Sequence, residues 1–276
     1  MNSINNTNQA IMLFDEQGTP TFRLDRETNS FLGISVTYDF SDENSIFEQC
    51  GQLFGLSKTK PLRNNRIGNT RVLDISNLLT ELPIQIIISS VDLSNSELEQ
   101  VITLYEKFGN VMRKRYRNVR EYPLAHILHS RILDECIFNS IFDYSERNKN
   151  NTNFSIFIDN WAIPKNDVSI YLKERSSSFQ AKINKLNREF NFPIQICVSS
   201  ISLLNENNFR KRFIGVVASV ISRSFLQPDN LKFSEYPFDT INNVETNKFF
   251  EITKKTIELC RKIMDDSSRN PPVLTF

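Results

Sequence analysis

The chain has 276 residues, enough for one large domain or two small ones with a core of useful size. Its 33 Lys and Arg stand against 32 Asp and Glu, so attraction to nucleic acid or an anionic membrane has to be local rather than global. Only seven glycines are present, and none sits in a GxGxxG or a phosphate-loop spacing, which argues against a dinucleotide or P-loop nucleotide enzyme. Cys50, Cys136, Cys197 and Cys260 lack the CxxC spacing of a zinc site and read as reduced core thiols of a cytoplasmic protein. The polar N-terminus has no apolar signal region, and the longest apolar stretch, 213–221, is too short to span a bilayer.

In chain order, residues 10–14 read as a first strand running into the turn at Gly18. Short strands over 21–24 and 31–38 follow, with β-branched Ile34, Val36 and Thr37 in the second of these. The three together suggest an antiparallel meander. A helix over 41–55 is capped by Ser41 or Asp42 and buries Ile46, Leu53 and Phe54. Residues 58–71 form a basic loop without acids, carrying Lys58, Lys60, Arg63, Arg66 and Arg71. The β-branched run 84–91 predicts a central strand ending at Asp92.

Ser94 and Glu97 have the spacing of a capping box, and the helix after them ends in Arg113, Lys114, Arg115, Arg117 and Arg120. Pro123 opens the next helix, which reaches about Tyr144. A strand over 154–158 ends at Asp159, an amphipathic helix covers 167–190, and a strand covers 193–199. A core helix over 207–225 precedes a linker at 228–237, a helix over 244–264 and a loose tail. This order predicts an α/β mixed sheet with helices on both faces.

Three of the predicted strands run into an acid: Asp15, Asp92 and Asp159. Chemistry in open α/β sheets collects at strand ends. Carboxylates gathered there repel one another unless a divalent cation offsets the charge, and hard oxygen ligands favour Mg²⁺ or Mn²⁺. Two such ions about 4 Å apart can activate water against a phosphodiester. The plainer alternative is that each acid is a turn or capping residue.

The stretch Met12-Leu13-Phe14-Asp15-Glu16-Gln17-Gly18 resembles the opening strand of the DUF3800 family. Phe31-Leu32-Gly33-Ile34 is similar to that family's third strand, and Phe157-Ile158-Asp159 to its later acid-ended strand. The resemblance spans residues 10–226. It implies an RNase H-like mixed sheet flanked by helices, a domain over 8–226, and a C-terminal extension of linker, helix and tail over 227–276. It also implies a metal-dependent nuclease of phage defence or a mobile element, with Asp15, Asp92 and Asp159 as catalytic acids on Mg or Mn and Lys60 at the scissile phosphate. The family closes with a Gln-x-Ala-Asp pattern. The matching stretch here reads Val216-Val217-Ala218-Ser219, which puts a neutral hydroxyl at the last acid's place. The alternative is therefore a catalytically degenerate subunit that binds nucleic acid or a partner protein of a defence complex.

Nucleic-acid contacts are expected from Lys58, Arg63, Arg66, Arg113, Arg115 and Arg117, against the reading that these are solvated side chains. Trp161 is placed to stack on a base. His126 and His129 share a helix face but form no HExxH motif and read as ordinary polar contacts. Phe249, Phe250, Ile257, Cys260 and Met264 give the last predicted helix an apolar side, which folds back on the core or forms an oligomer interface.

Overall fold

The computed structural model describes residues 7–17, 28–51, 53–54, 69–94, 123–159, 196–204, 208–226 and 244–247, with part of 172–188. The predicted strand 21–24 lies outside these residues. So do the loop from Lys58 through Lys60, Arg63 and Arg66, the basic helix end with Arg113, Arg115 and Arg117, Trp161, and the C-terminal segment 248–276.

Six strands form one sheet: β1 (Asn8–Gln17), β2 (Thr28–Asp39), β3 (Gln85–Ser94), β4 (Thr152–Ile158), β5 (Ile196–Leu203) and β6 (Val244–Asn247). Their spatial order is β5-β4-β1-β2-β3-β6. β2 is antiparallel to both β1 and β3, whereas β4 pairs parallel with β1, β5 with β4, and β6 with β3. One strand thus opposes five, which gives the mixed sheet expected of an α/β fold. Every residue of β1 from Ala10 to Glu16 is buried, as a central strand covered on both faces requires.

The helices are α1 (Glu43–Cys50), α2 (Asn69–Glu81), α3 (Pro123–Asn148) and α4 (Phe209–Leu226), and the described positions within 172–188 are also helical. Odd residues of β1 (Ile11, Leu13) face α1, α2 and α4 through a cluster that includes Ile34, Val36, Ile86, Ile88, Phe213 and Val217. Even residues (Ala10, Met12, Phe14) face α3 and the helical positions at Phe179 and Ile183. This two-residue alternation is the strand period itself, and it divides the molecule into two cores.

Several expectations change. The strand expected over 31–38 is β2 and pairs directly with β1, and the next strand of the sheet, β3, comes only after α1 and α2. No predicted element covers α2, although Val72, Ile75, Ser76 and Leu79 are buried at helical spacing along it. β3 does not stop at Asp92, because β2 still offers partners there: Ser30 pairs with Asp92 and Thr28 with Ser94. The cap predicted for α1 sits at Asp42 without a side-chain hydrogen bond, since a 3-10 turn over Phe40–Asp42 already brings the backbone in helically. Residues 244–247, read as the start of a helix, form β6 and extend the sheet beyond β3. Cys50 and Cys136 are buried, but Cys197 is exposed on β5. Among the described residues no helix is long and apolar enough to cross a membrane.

Candidate functional site

The two central parallel strands bring two acids together. Phe14 of β1 pairs with Ile158 of β4, so the next residues, Asp15 and Asp159, leave that row side by side. The Asp159 N–H donates to the Phe14 carbonyl at 3.2 Å, and the Leu204 N–H donates to the Ile158 carbonyl at 2.8 Å. These bonds fix the chain as it leaves β4. Asp15 lies inside β1, two residues before its end, and is only 8% exposed. Its Oδ1 accepts from the Glu16 N–H at 2.9 Å and its Oδ2 from Gln17 Nε2 at 3.5 Å.

Burial holds the Asp15 carboxyl well above the usual carboxylate range, and the charges of Glu16 and Asp159 push it in the same direction. The Glu16 N–H and the Lys211 ammonium oppose that rise. Glu16 follows Asp15 on a pleated strand, so it takes the other sheet face and does not complete a cluster with it.

Helix α4 closes the site from above. Asn208 Oδ1 accepts from the Arg210 N–H at 2.9 Å, which caps the helix N-terminus. Lys211 Nζ lies 2.9 Å from Asp159 Oδ1. One turn on, a Cβ added to Gly215 would stand 4.0 Å from Asp15 Oδ2, so Gly215 is the helix position over Asp15. Ser219 is a further turn along and buried. The helix presents Lys211, Gly215 and Ser219 at four-residue spacing, along one face.

Arg210 anchors the same end. Its Nε and Nη2 meet Glu43 Oε1 and Oε2 of α1 at 2.6 and 2.9 Å, and the Tyr38 hydroxyl donates to Glu43 Oε1 at 2.9 Å. The guanidinium also lies 4.3 Å from the centre of the Phe157 ring. Glu43 favours the charged guanidinium, while burial and Glu43 disfavour the Tyr38 phenolate.

The structure therefore brings together Asp15 and Asp159, but not Asp92. In the row of Asp15 the register places Ile34 and then Ile88, and Asp92 is four residues further along β3. That is about 13 Å along the strand, on the second strand over. Arg71, the last cation of the predicted basic loop, lies in α2 and donates from Nε to the Leu53 carbonyl at 2.9 Å.

Sequence reasoning missed Lys211 and Arg210. Their signal is a helix that opens Phe209-Arg210-Lys211-Arg212 with no acid in its first turn. Cations there oppose the helix dipole and call for carboxylates from elsewhere in the fold. Asp159 and Glu43 supply them.

The family resemblance implies a divalent metal, and among the described residues the donors brought together, Asp15 and Asp159, do not by themselves fit a two-ion centre. Two ions bring four positive charges. Asp15 and Asp159 bring two negative charges, one of them already matched by Lys211. Among the described residues no group of three or more acids, histidines or cysteines is arranged to hold a metal ion. Compared with known proteins, the chain matches no family model and no curated protein.

Proposed function

We propose that this chain is a nucleic-acid-binding protein built on an RNase H-like sheet, with a strand-end site that does not run two-metal phosphodiester hydrolysis. The observation that carries this reading is what α4 presents to the acids: an ammonium to Asp159 and a glycine to Asp15. A lysine already neutralising one carboxylate opposes a second positive charge beside it. Fold alone assigns no activity, so the site's own chemistry decides.

Two features support nucleic acid as the partner. The stretches 58–71 and 113–120 contain cations and no acids. Phe209, two residues before Lys211, is 49% exposed, which leaves ring surface for stacking on a base.

The test is fluorescence anisotropy with single- and double-stranded DNA and RNA over a salt series, alongside cleavage assays in Mg²⁺ and Mn²⁺. Binding should weaken steeply with salt. Arg63→Ala with Arg66→Ala should flatten the slope on duplex by roughly 0.9 for each phosphate no longer neutralised. No binding to any oligonucleotide at low salt would overturn the reading.

One observation favours a second reading, a metal-dependent nuclease using Asp15 and Asp159 as ligands and Lys60 at the phosphate. Asp15 is buried beside other acids, a strain that a bound cation would relieve. Cleavage by the wild type that Asp15→Ala abolishes would establish this reading and displace the first.

A further inference from the structure

We propose that Lys211 is the resident counter-cation of the strand-end acids, holding Asp15 and Asp159 together with a tethered ammonium where an acidic phosphodiester site holds a divalent ion. The inference rests on the functional reading above and gives that site its electrostatic basis.

Four observations carry it. Lys211 Nζ is 2.9 Å from Asp159 Oδ1, and the two side chains are 29% and 23% exposed, so water weakens the pair without dissolving it. Asp159 is held against β1 through its own N–H on the Phe14 carbonyl, so the backbones that carry the two acids stay adjacent. The lysine is delivered rather than drifting: the Asn208 cap and the Arg210–Glu43 pair fix the helix turn that carries it. Finally, Gly215 is not imposed by crowding. A Cβ there meets nothing nearer than Asp15 Oδ2 at 4.0 Å, an ordinary contact, yet the position over Asp15 carries no side chain. A mid-helix glycine is a poorer helix former than alanine, and here it adds no carboxylate to the pair.

A single ammonium has one charge and three donors, and it needs neither a coordination shell nor free metal in solution. It can hold two carboxylates in place. It does not polarise a bound water strongly enough to make a nucleophile, which is a divalent ion's contribution. The site is thereby stable and poorly suited to hydrolysis for the same reason.

The experiment uses the full chain and Mn²⁺ as probe, followed by isothermal titration and by melting temperature with and without metal. The wild type should show no saturable Mn²⁺ binding and an unchanged melting temperature. Lys211→Met keeps the side chain's length and removes its charge. It should melt about 3–6 °C lower, recover part of that loss in Mn²⁺, and bind Mn²⁺ saturably in a way that Asp159→Asn abolishes. Adding Gly215→Asp to Lys211→Met should tighten Mn²⁺ binding at least tenfold.

Wild-type protein that binds Mn²⁺ as tightly as Lys211→Met overturns the inference, and so does a Lys211→Met variant as stable as wild type without metal. If Lys211→Met does not fold, Asp159→Asn/Lys211→Met decides. Recovery of folding supports the counter-cation role, whereas continued unfolding shows that the lysine serves something other than the acids. Metal binding by the wild type without cleavage sinks this inference alone, and metal binding with Asp15-dependent cleavage sinks the functional reading too.

Discussion

The two faces of the sheet are built from different chemistry. On the α1/α2/α4 face the strands present Ile11, Leu13, Ile34, Val36, Ile86 and Ile88, and the helices answer with a ring cluster. Phe213 lies at its centre, 5.5 Å from Phe54 in a stacked arrangement and 5.8 and 6.5 Å from Phe47 and Tyr38 edge-on. On the other face β4 and β1 are mainly apolar, with Thr152 and Glu16 near their ends, but under α3 the strands β2 and β3 present Ser35, Thr37 and Gln85. There the helix is seated by hydrogen bonds: Ser35 with Ser140, Gln85 Nε2 to Asp143, and the Tyr144 hydroxyl to Asp39. Thr37 Oγ1, Gln85 Oε1 and Ser145 Oγ have no hydrogen-bond partner among the described residues. The first face is held mainly by area and shape, whereas the second adds hydrogen-bonded pairing to an apolar cluster of its own. The first should be sensitive to lost volume, and the second to the matching of donors and acceptors.

The largest effect is expected on the apolar face. Phe213→Ala removes the ring on which Phe54, Phe47 and Tyr38 converge at a fully buried position. It should cost about 3–5 kcal/mol, a large share of the roughly 5–15 kcal/mol that stabilises an ordinary domain. Urea unfolding followed by circular dichroism measures it, and a loss below about 1 kcal/mol would show that the cluster is not the seat of α4.

The next effect falls where α1 meets α4. Glu43→Gln keeps the shape but turns a bidentate charge-assisted pair into a neutral contact, and the two side chains are only 14% and 16% exposed. A loss of about 1–3 kcal/mol is expected. Arg210→Ala should cost more than Glu43→Gln, because it also removes the guanidinium from the Phe157 ring. Equal losses would mean that the ring contact contributes nothing.

How far the sequence speaks differs between the faces for the same reason. Apolar periodicity locates β1, β2, β3, β4, α1 and α4, because burial on both sides leaves a signal at the strand or helix period. α2 carries that signal too, but Ser76 interrupts it with a hydroxyl that bonds back to the Val72 carbonyl at 2.8 Å. The polar seat of α3 has no periodic mark, since Ser35 and Ser140 are 105 residues apart. The site divides likewise. Asp15 and Asp159 are readable because each follows an apolar strand run. Asp92 reads the same way, yet register alone places it four residues beyond the row of Asp15, and register is a pairing property. Lys211 and Gly215 become meaningful only when α4 is laid across β1, which no spacing along the chain reveals.

A smaller effect tests the site through pH. Asp15 is held above its unfolded value by burial first, then by Glu16 and Asp159, with Lys211 opposing. An acid raised on folding binds its proton more tightly in the native state, so between the unfolded value near 3.9 and the higher native one, stability falls as pH rises. Asp15→Asn removes that dependence. It should therefore raise the melting temperature at pH 7, with the gain over wild type shrinking as pH falls toward about 4 and gone below it. A gain independent of pH would assign the effect to packing instead of charge.

The smallest effect returns to the polar seat. Thr37 is 1% exposed on β2, directly across from Gln85 of β3, and its hydroxyl is buried without a partner among the described residues. A buried donor that bonds nothing forfeits its hydration in the native state and recovers it on unfolding, so it works against the fold. Thr37→Val keeps the branched shape and strand preference while replacing the hydroxyl with a methyl of similar size. Elsewhere that exchange removes a hydrogen bond and destabilises. Here it should stabilise by about 1 kcal/mol, shifting the urea midpoint upward with an unchanged slope. Val36→Thr is the mirror change on the apolar face, where the added hydroxyl enters among Ile34, Ile86 and the α4 side chains. It should destabilise by about 1–3 kcal/mol. Opposite signs from two neighbouring residues of one strand would show that the faces obey different rules. If Thr37→Val destabilises, the hydroxyl has a partner after all, a buried water being the one that polar surroundings favour.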